Sequence, residues 1–183
     1  MMLTLYCSSG SPPCRSVLML LNKLNLTDVK LVDVNLVERE QFQESFLKMN
    51  PQHTIPTMKD DDFIFWDSHA LVIYLITLYG KDNNNLYPND PKKRAIINQR
   101  IFFDSEKLLP AIGVLAPIFY AGEKSFKKED LNKISETYDF AEKFLTKNYF
   151  AGDEITLADI CCASSISTLN LIMPIDKNTY LRN

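Results

Sequence analysis

The sequence predicts a small α/β domain followed by an all-helical one, on three observations. In the first 79 residues, short apolar runs that read as strands alternate with segments whose apolar residues recur at helical spacing. The pattern then stops in GKDNNNLYPNDPKK, a cluster of Gly, Asn, Asp and Pro with no apolar period. Beyond that cluster the periodic stretches all have the three-and-four spacing of a helix. The expected organisation is therefore a domain over 1–79, a linker over 80–90 and a helical domain over 91–183, without internal repeats.

LTLY is the first expected strand, and SPPCRSVLMLLNKLN the first helix. Ser11 is a suitable N-cap, Pro12 has the fixed φ that fits the first helical position, and Val17, Leu20, Leu21 and Leu24 form one buried face. A strand at VKLVDVN, a short helix around QFQESFLKM and two brief strands, TMK and FIFW, follow. SHALVIYLITLY then reads as a helix that Gly80 terminates, completing the order β-α-β-α-β-β-α. After the linker, RAIINQRIFFDSEKLLPAIGVLAPIFY predicts a long helical segment broken or bent near Pro110 and Pro117. Leu131, Ile134, Tyr138, Ala141 and Leu145 mark another helix. In TLAD, Thr156 is a cap, Asp159 its capping-box acid, and Ile155 and Ile160 are spaced for a hydrophobic staple.

Composition excludes several classes. At 183 residues and 46% hydrophobic, the chain has enough apolar material for a substantial core, which argues against disorder. The formal net charge is -3 and the lysines are scattered through KDD, PKKR and SFKK, so nucleic acid is a poor partner. No run reaches membrane-spanning length, and MMLTLYCSSG has neither the basic start nor the apolar core of a signal peptide, so a cytoplasmic protein is expected. Cys7, Cys14, Cys161 and Cys162 lack CxxC spacing, and with His53 and His69 as the only histidines no metal site is expected. The cysteines read as reduced thiols.

Three stretches carry candidate chemistry. Ser11 follows the first strand and opens a helix, so its hydroxyl is either a cap or a functional donor. In NPQHTIPTM, Pro56 precedes a strand; its bond to Ile55 is either an ordinary trans turn or a cis bond that lets Ile55 offer both N–H and C=O to an extended peptide. In WDSHA, Asp67 and Ser68 stand where a strand meets a helix, so Ser68 is either a bare cap or part of a seat for a ligand carboxylate at the helix start.

Taken together with VNL, YGKD, LYPNDPKKRA and AGDEITLADI, the stretches SPPCRS, NPQHTIPT and WDSHALVIYL resemble in order the cytosolic glutathione transferases of the insect delta/epsilon type, closest to epsilon. The resemblance covers nearly the whole chain. It implies a thioredoxin-like N-terminal domain that binds glutathione, a helical C-terminal domain that helps hold an electrophile, and a homodimer. It implies that Ser11 donates a hydrogen bond to the glutathione sulfur, that His53 reaches the glycine carboxylate, and that Ile55, with Thr54 beside it, pairs with the cysteinyl backbone. Asp67 and Ser68 would meet the γ-glutamyl amine and carboxylate, Asp67 with a shorter reach than the Glu of many relatives. Gln41 stands where related epsilon enzymes often have histidine and is the further candidate for the glycine end. For the electrophile the resemblance implies Pro13, Leu108, Ile112, Leu115, Phe119 and Tyr120, each of which reads equally as helix core. Glutathione is the implied co-substrate, with no metal.

Two alternatives accompany this expectation of general conjugation. SPPC is similar to the CxxC of thioredoxin-fold oxidoreductases with the first, reactive cysteine replaced, which leaves Cys14 as the basis of a thiol-exchange reading. A non-catalytic carrier of apolar ligands would use the same pocket. EQFQESFLKMNPQH, DSHA and STLNLIMP are also similar to the Noppera-bo subfamily of the ecdysteroid pathway, but the pocket acid expected in that branch is replaced by Ile112 or a neighbour. The family usually adds at least one further helix beyond NLIMPIDK, so the resemblance implies a helical domain incomplete at its C-terminus.

Overall fold

The first strand, β1 (Leu3–Cys7), is buried along nearly its whole length and is paired on both sides. The computed structural model describes residues 3–81, 85–176 and 179, and the chain divides into two compact units, 1–84 and 85–183. Parts of the expected linker (82–84) and of the C-terminal end (177, 178 and 180–183) lie outside the described residues.

In the first unit, α1 (Pro12–Lys23) follows β1, and β2 (Val29–Asp33) returns parallel to it. A 3-10 turn (Glu40–Phe42) and α2 (Glu44–Met49) lead into β3 (Thr57–Asp60) and β4 (Phe63–Trp66), then α3 (Ser68–Tyr79). The sheet order is β2-β1-β3-β4, with β3 antiparallel to both neighbours. This is the thioredoxin-like arrangement. Leu5, Met58, Val17, Leu20, Leu71 and Leu75 are wholly buried, and α1 packs against α3.

β2 ends earlier than VKLVDVN predicts because Asn35 forms a turn of its own. Its side-chain oxygen accepts the N–H groups of Val37 (3.0 Å) and Glu38 (3.2 Å), while its own N–H donates to Glu40 (2.8 Å). The helix expected around QFQESFLKM is split at Gln43, whose extended backbone (ψ 146°) separates the 3-10 turn from α2.

In the second unit, Asp90 caps α4 (Pro91–Phe103) by accepting the Lys93 N–H at 2.8 Å. The two expected irregularities are present, and each falls just before its proline. A π-helical turn (Asp104–Leu108) precedes Pro110 in α5 (Leu109–Ile112), and a 3-10 turn (Gly113–Leu115) precedes Pro117 in α6 (Ala116–Ala121). Proline has no N–H for the carbonyl one turn back and its ring crowds that carbonyl, so the preceding turn changes its winding. α7 (Lys128–Phe144) ends one residue before Leu145, and α8 (Leu157–Ile172) closes the described fold. Asp159 fastens the start of α8: its carboxylate accepts the Thr156 N–H and hydroxyl and the Phe150 N–H, all at 2.8 Å. Ile160 is buried, but Ile155, its expected staple partner, is exposed. Ile97, Ile101, Ile134, Leu157 and Leu169 form the core of this unit.

Candidate functional site

Strand register decides which candidate residues meet. Tyr6, near the end of β1, pairs with Thr57 at the start of β3, and Thr57 pairs with Trp66 at the end of β4. Cys7 pairs with Asp33 at the end of β2. One rim of the sheet therefore carries the segment leading to Ser11, the segment leading to Gln41, the loop holding His53, Thr54 and Ile55, and the start of α3 with Asp67 and Ser68. All seven belong to the first unit.

Ser11 occupies the N-cap position of α1 with an extended backbone (φ -82°, ψ 121°), but its side chain makes no capping hydrogen bond, contrary to the capping reading. One of the two usual donors for such a bond, the N–H of the second helical residue, is absent because Pro13 stands there. The Ser11 hydroxyl instead lies in hydrogen-bond range of the Cys14 thiol. Arg15 braces the preceding loop, its guanidinium donating to the Gly10 carbonyl at 3.0 Å.

Cys14 is wholly buried, and burial pushes its thiol up to about 11 against the opposing hydrogen bond from Ser11. Since the nucleophile in exchange chemistry is the thiolate, this cysteine is protonated and shielded at neutral pH. We expect thiol reagents to modify Cys14 in the native protein far more slowly than in the unfolded chain, and Cys14→Ala to keep conjugating activity. Loss of activity on that substitution would argue for thiol exchange.

The Ile55–Pro56 bond is cis, one of the two forms the sequence left open. The loop before it is organised by Asn50, which sequence reasoning missed. Asn50 is 0% exposed; its amide nitrogen donates to the Thr54 carbonyl (2.9 Å), the Thr54 hydroxyl (3.1 Å) and the Thr57 hydroxyl (3.0 Å). Its side-chain oxygen accepts the Gln52 N–H at 2.9 Å, and its carbonyl accepts the His53 N–H at 2.9 Å. The Asn-Pro dipeptide, a turn signal, was the available clue. His53 and Thr54 are exposed and Ile55 half-buried. Gln41, in contrast, is 6% exposed, with its side-chain oxygen buried and lacking a hydrogen-bond partner.

At α3 the sequence expectation is corrected. Asp67, not Ser68, is the N-cap, accepting the N–H groups of His69 (2.9 Å) and Ala70 (3.0 Å) on one carboxylate oxygen. Ser68 is the first helical residue and is buried. His53 (φ 48°) and Asp67 (φ 81°) both have positive φ, a conformation that costs free energy in non-glycine residues and concentrates at functional sites.

The candidates for an electrophile are more dispersed. Pro13 is half-buried in α1. Leu108 is 0% exposed and belongs to the core of the second unit, which is the helix-core reading of that residue. Ile112 and Leu115 are half-buried, while Phe119 and Tyr120 are exposed apolar surface. Among the described residues no cluster of His, Cys, Asp or Glu could hold a metal, and no helix is long and apolar enough to cross a membrane.

Residues 5–84 match the family described as glutathione S-transferase, N-terminal domain, and residues 75–175 match glutathione S-transferase, C-terminal domain. Glutathione S-transferase 1 of Manduca sexta is 55% identical over 182 residues, 98% of this chain and 83% of that protein. An epsilon-class glutathione S-transferase from the housefly, Musca domestica, is similar in structure with a TM-score of 0.92 at 39% identity, over 97% of this chain and 82% of the other. A glutathione transferase homolog from Drosophila mojavensis with bound glutathione has a TM-score of 0.93 at 38% identity, over 98% and 82% of the two chains.

Proposed function

Because the chain belongs to the glutathione S-transferase family, we propose that it conjugates the glutathione thiolate to small hydrophobic electrophiles, as a detoxifying enzyme of the insect delta/epsilon type. The observation that best supports this is the Ser11 hydroxyl, which caps no backbone N–H at the helix start and stands on the same sheet rim as His53 and Asp67. Ser11 donates to the glutathione sulfur and stabilises it as thiolate, and the partial positive charge at the start of α1 acts in the same direction. His53, with Gln41, takes the glycine end; Ile55 and Thr54 pair with the cysteinyl backbone; Asp67 and Ser68 hold the γ-glutamyl amine and carboxylate. The electrophile is assigned to apolar side chains of the second unit, Ile112, Leu115, Phe119 and Tyr120. The thiolate then attacks the electrophilic carbon, forming the C–S bond as the leaving group departs with its electron pair.

The relatives are transferases by name, so neither the ecdysteroid-pathway reading nor the carrier reading is favoured. Capture on immobilised glutathione followed by assay with a chlorodinitrobenzene-type electrophile tests the proposal. Retention with turnover is the expected result; retention without turnover would leave a carrier, and reduction of mixed disulfides through Cys14 would leave an oxidoreductase. The protein is further read as a cytoplasmic homodimer, which light scattering and cell fractionation test.

Asp67 has two separable roles, since one carboxylate caps α3 and carries the charge for the ligand ammonium. Asp67→Asn keeps a capping acceptor and should weaken glutathione binding by about 1–3 kcal/mol with little loss of stability. Asp67→Ala should lose the same affinity and also about 1 kcal/mol of stability, the usual worth of an N-cap. Calorimetric titration and thermal denaturation of both variants separate the two; a fall in turnover alone would refute the assignment.

A further inference from the structure

Phe42 is 47% exposed, yet its ring is paired with an imidazole: the centroids of Phe42 and His53 are 4.5 Å apart, with an interplanar angle of 35°. Both rings stand on defined backbone. Phe42 ends the 3-10 turn, where its N–H bonds the Arg39 carbonyl at 3.0 Å, and the Gln41 side chain before it is buried. The turn is tied back to the segment that follows β2 by the bond from the Asn35 N–H to Glu40. His53 is held at φ 48° by its N–H bond to the Asn50 carbonyl. An exposed histidine otherwise samples several rotamers; a ring packed against one face removes part of that freedom.

We propose that Phe42 is a positioning residue that fixes the His53 imidazole in the orientation used to bind the glycine carboxylate of glutathione. The inference rests on the assignment of His53 to that carboxylate. Phe42 contributes through His53 and not through the fold, so its effect falls on ground-state binding and leaves the chemical step untouched.

The test is a double-mutant cycle of Phe42→Ala and His53→Ala, with Phe42→Tyr as the conservative variant. Phe42→Ala should raise the KM and Kd for glutathione about three- to tenfold, the size of a lost aromatic pair, while kcat at saturating glutathione stays unchanged. In the His53→Ala protein the same substitution should have no further effect, and Phe42→Tyr should retain wild-type affinity. The His53 ring resonances, identified by their loss in His53→Ala, should shift in Phe42→Ala. An unchanged affinity in Phe42→Ala beside a weakened His53→Ala overturns the inference alone, as does an equal loss in both backgrounds. An unchanged affinity in His53→Ala removes the carboxylate assignment and the inference with it.

Discussion

Replacement of Ser11 by alanine is expected to lower turnover at least tenfold, leave glutathione affinity nearly unchanged and raise the apparent pKa of the bound thiol. A hydrogen bond to a charged group is worth about 1.5–3 kcal/mol, and one pKa unit corresponds to about 1.4 kcal/mol. From an ordinary thiol value near 8.5, a bond of that size lowers the pKa of the glutathione thiol by about one to two units and raises its thiolate fraction at neutral pH from about 3% to between about a quarter and three quarters. The bond strengthens as the sulfur gains charge, so it favours the reactive form over mere occupancy. The folded protein should tolerate the change, because Ser11 contributes no side-chain cap to α1. The sign is fixed by linkage: removing a donor to the thiolate raises the pKa, so the deficit should be largest near neutral pH and shrink as pH rises. A pH-rate profile of the two proteins checks this, and superimposable profiles would refute the role.

Asn50→Ala should have the largest effect on the fold of the first unit. The substitution removes one accepted bond and the amide's donations, shared between two N–H groups, to the Thr54 carbonyl and the Thr54 and Thr57 hydroxyls; the Thr57 hydroxyl, on a residue that is 0% exposed, loses that donor and keeps its own donation to the Thr54 carbonyl at 2.9 Å. A typical intramolecular hydrogen bond contributes about 0.5–1.5 kcal/mol, and part of the loss here falls on groups that water can reach, so a destabilisation of about 2–4 kcal/mol is expected. Thermal denaturation reads that loss. Glutathione titration well below the transition should show weaker binding as well, since the loop presenting His53, Thr54 and Ile55 is tied down by these bonds. An unchanged midpoint would show the bonds to be dispensable.

Elements with a strong apolar period were legible from the sequence. The twelve residues SHALVIYLITLY are the observed α3, and the strand-helix order of the first unit is as expected. Features set by a local backbone angle or by a loop contact were not. Nothing in WDSHA distinguishes Asp67 from Ser68 as the cap; in the structure the Asp67 carboxylate accepts the His69 and Ala70 N–H groups and the helix begins at Ser68. The Asn35 turn, the Asn50 bonds and the Phe42–His53 pair join residues whose spacing obeys neither period, so pattern reading passes over them. Leu108 shows the opposite limit: an apolar residue on a helix carries no mark that separates core from pocket, and this one is core.

The reversed direction of β3 divides the sheet of the first unit into two ends with different freedom to vary. Had β3 run parallel to β1, its leading loop would stand a full strand length away, about 13 Å for four residues. Instead the four segments assigned to glutathione share one end, and at the other Asp60, opposite Leu3 and Phe63, accepts the Tyr74 hydroxyl at 2.6 Å and holds that phenol up at about 12. Substitutions at the Asp60 end should therefore change how firmly this sheet is held without touching the segments assigned to glutathione, whereas at the opposite end Asn50 and Asp67 tie durability and recognition to the same side chains.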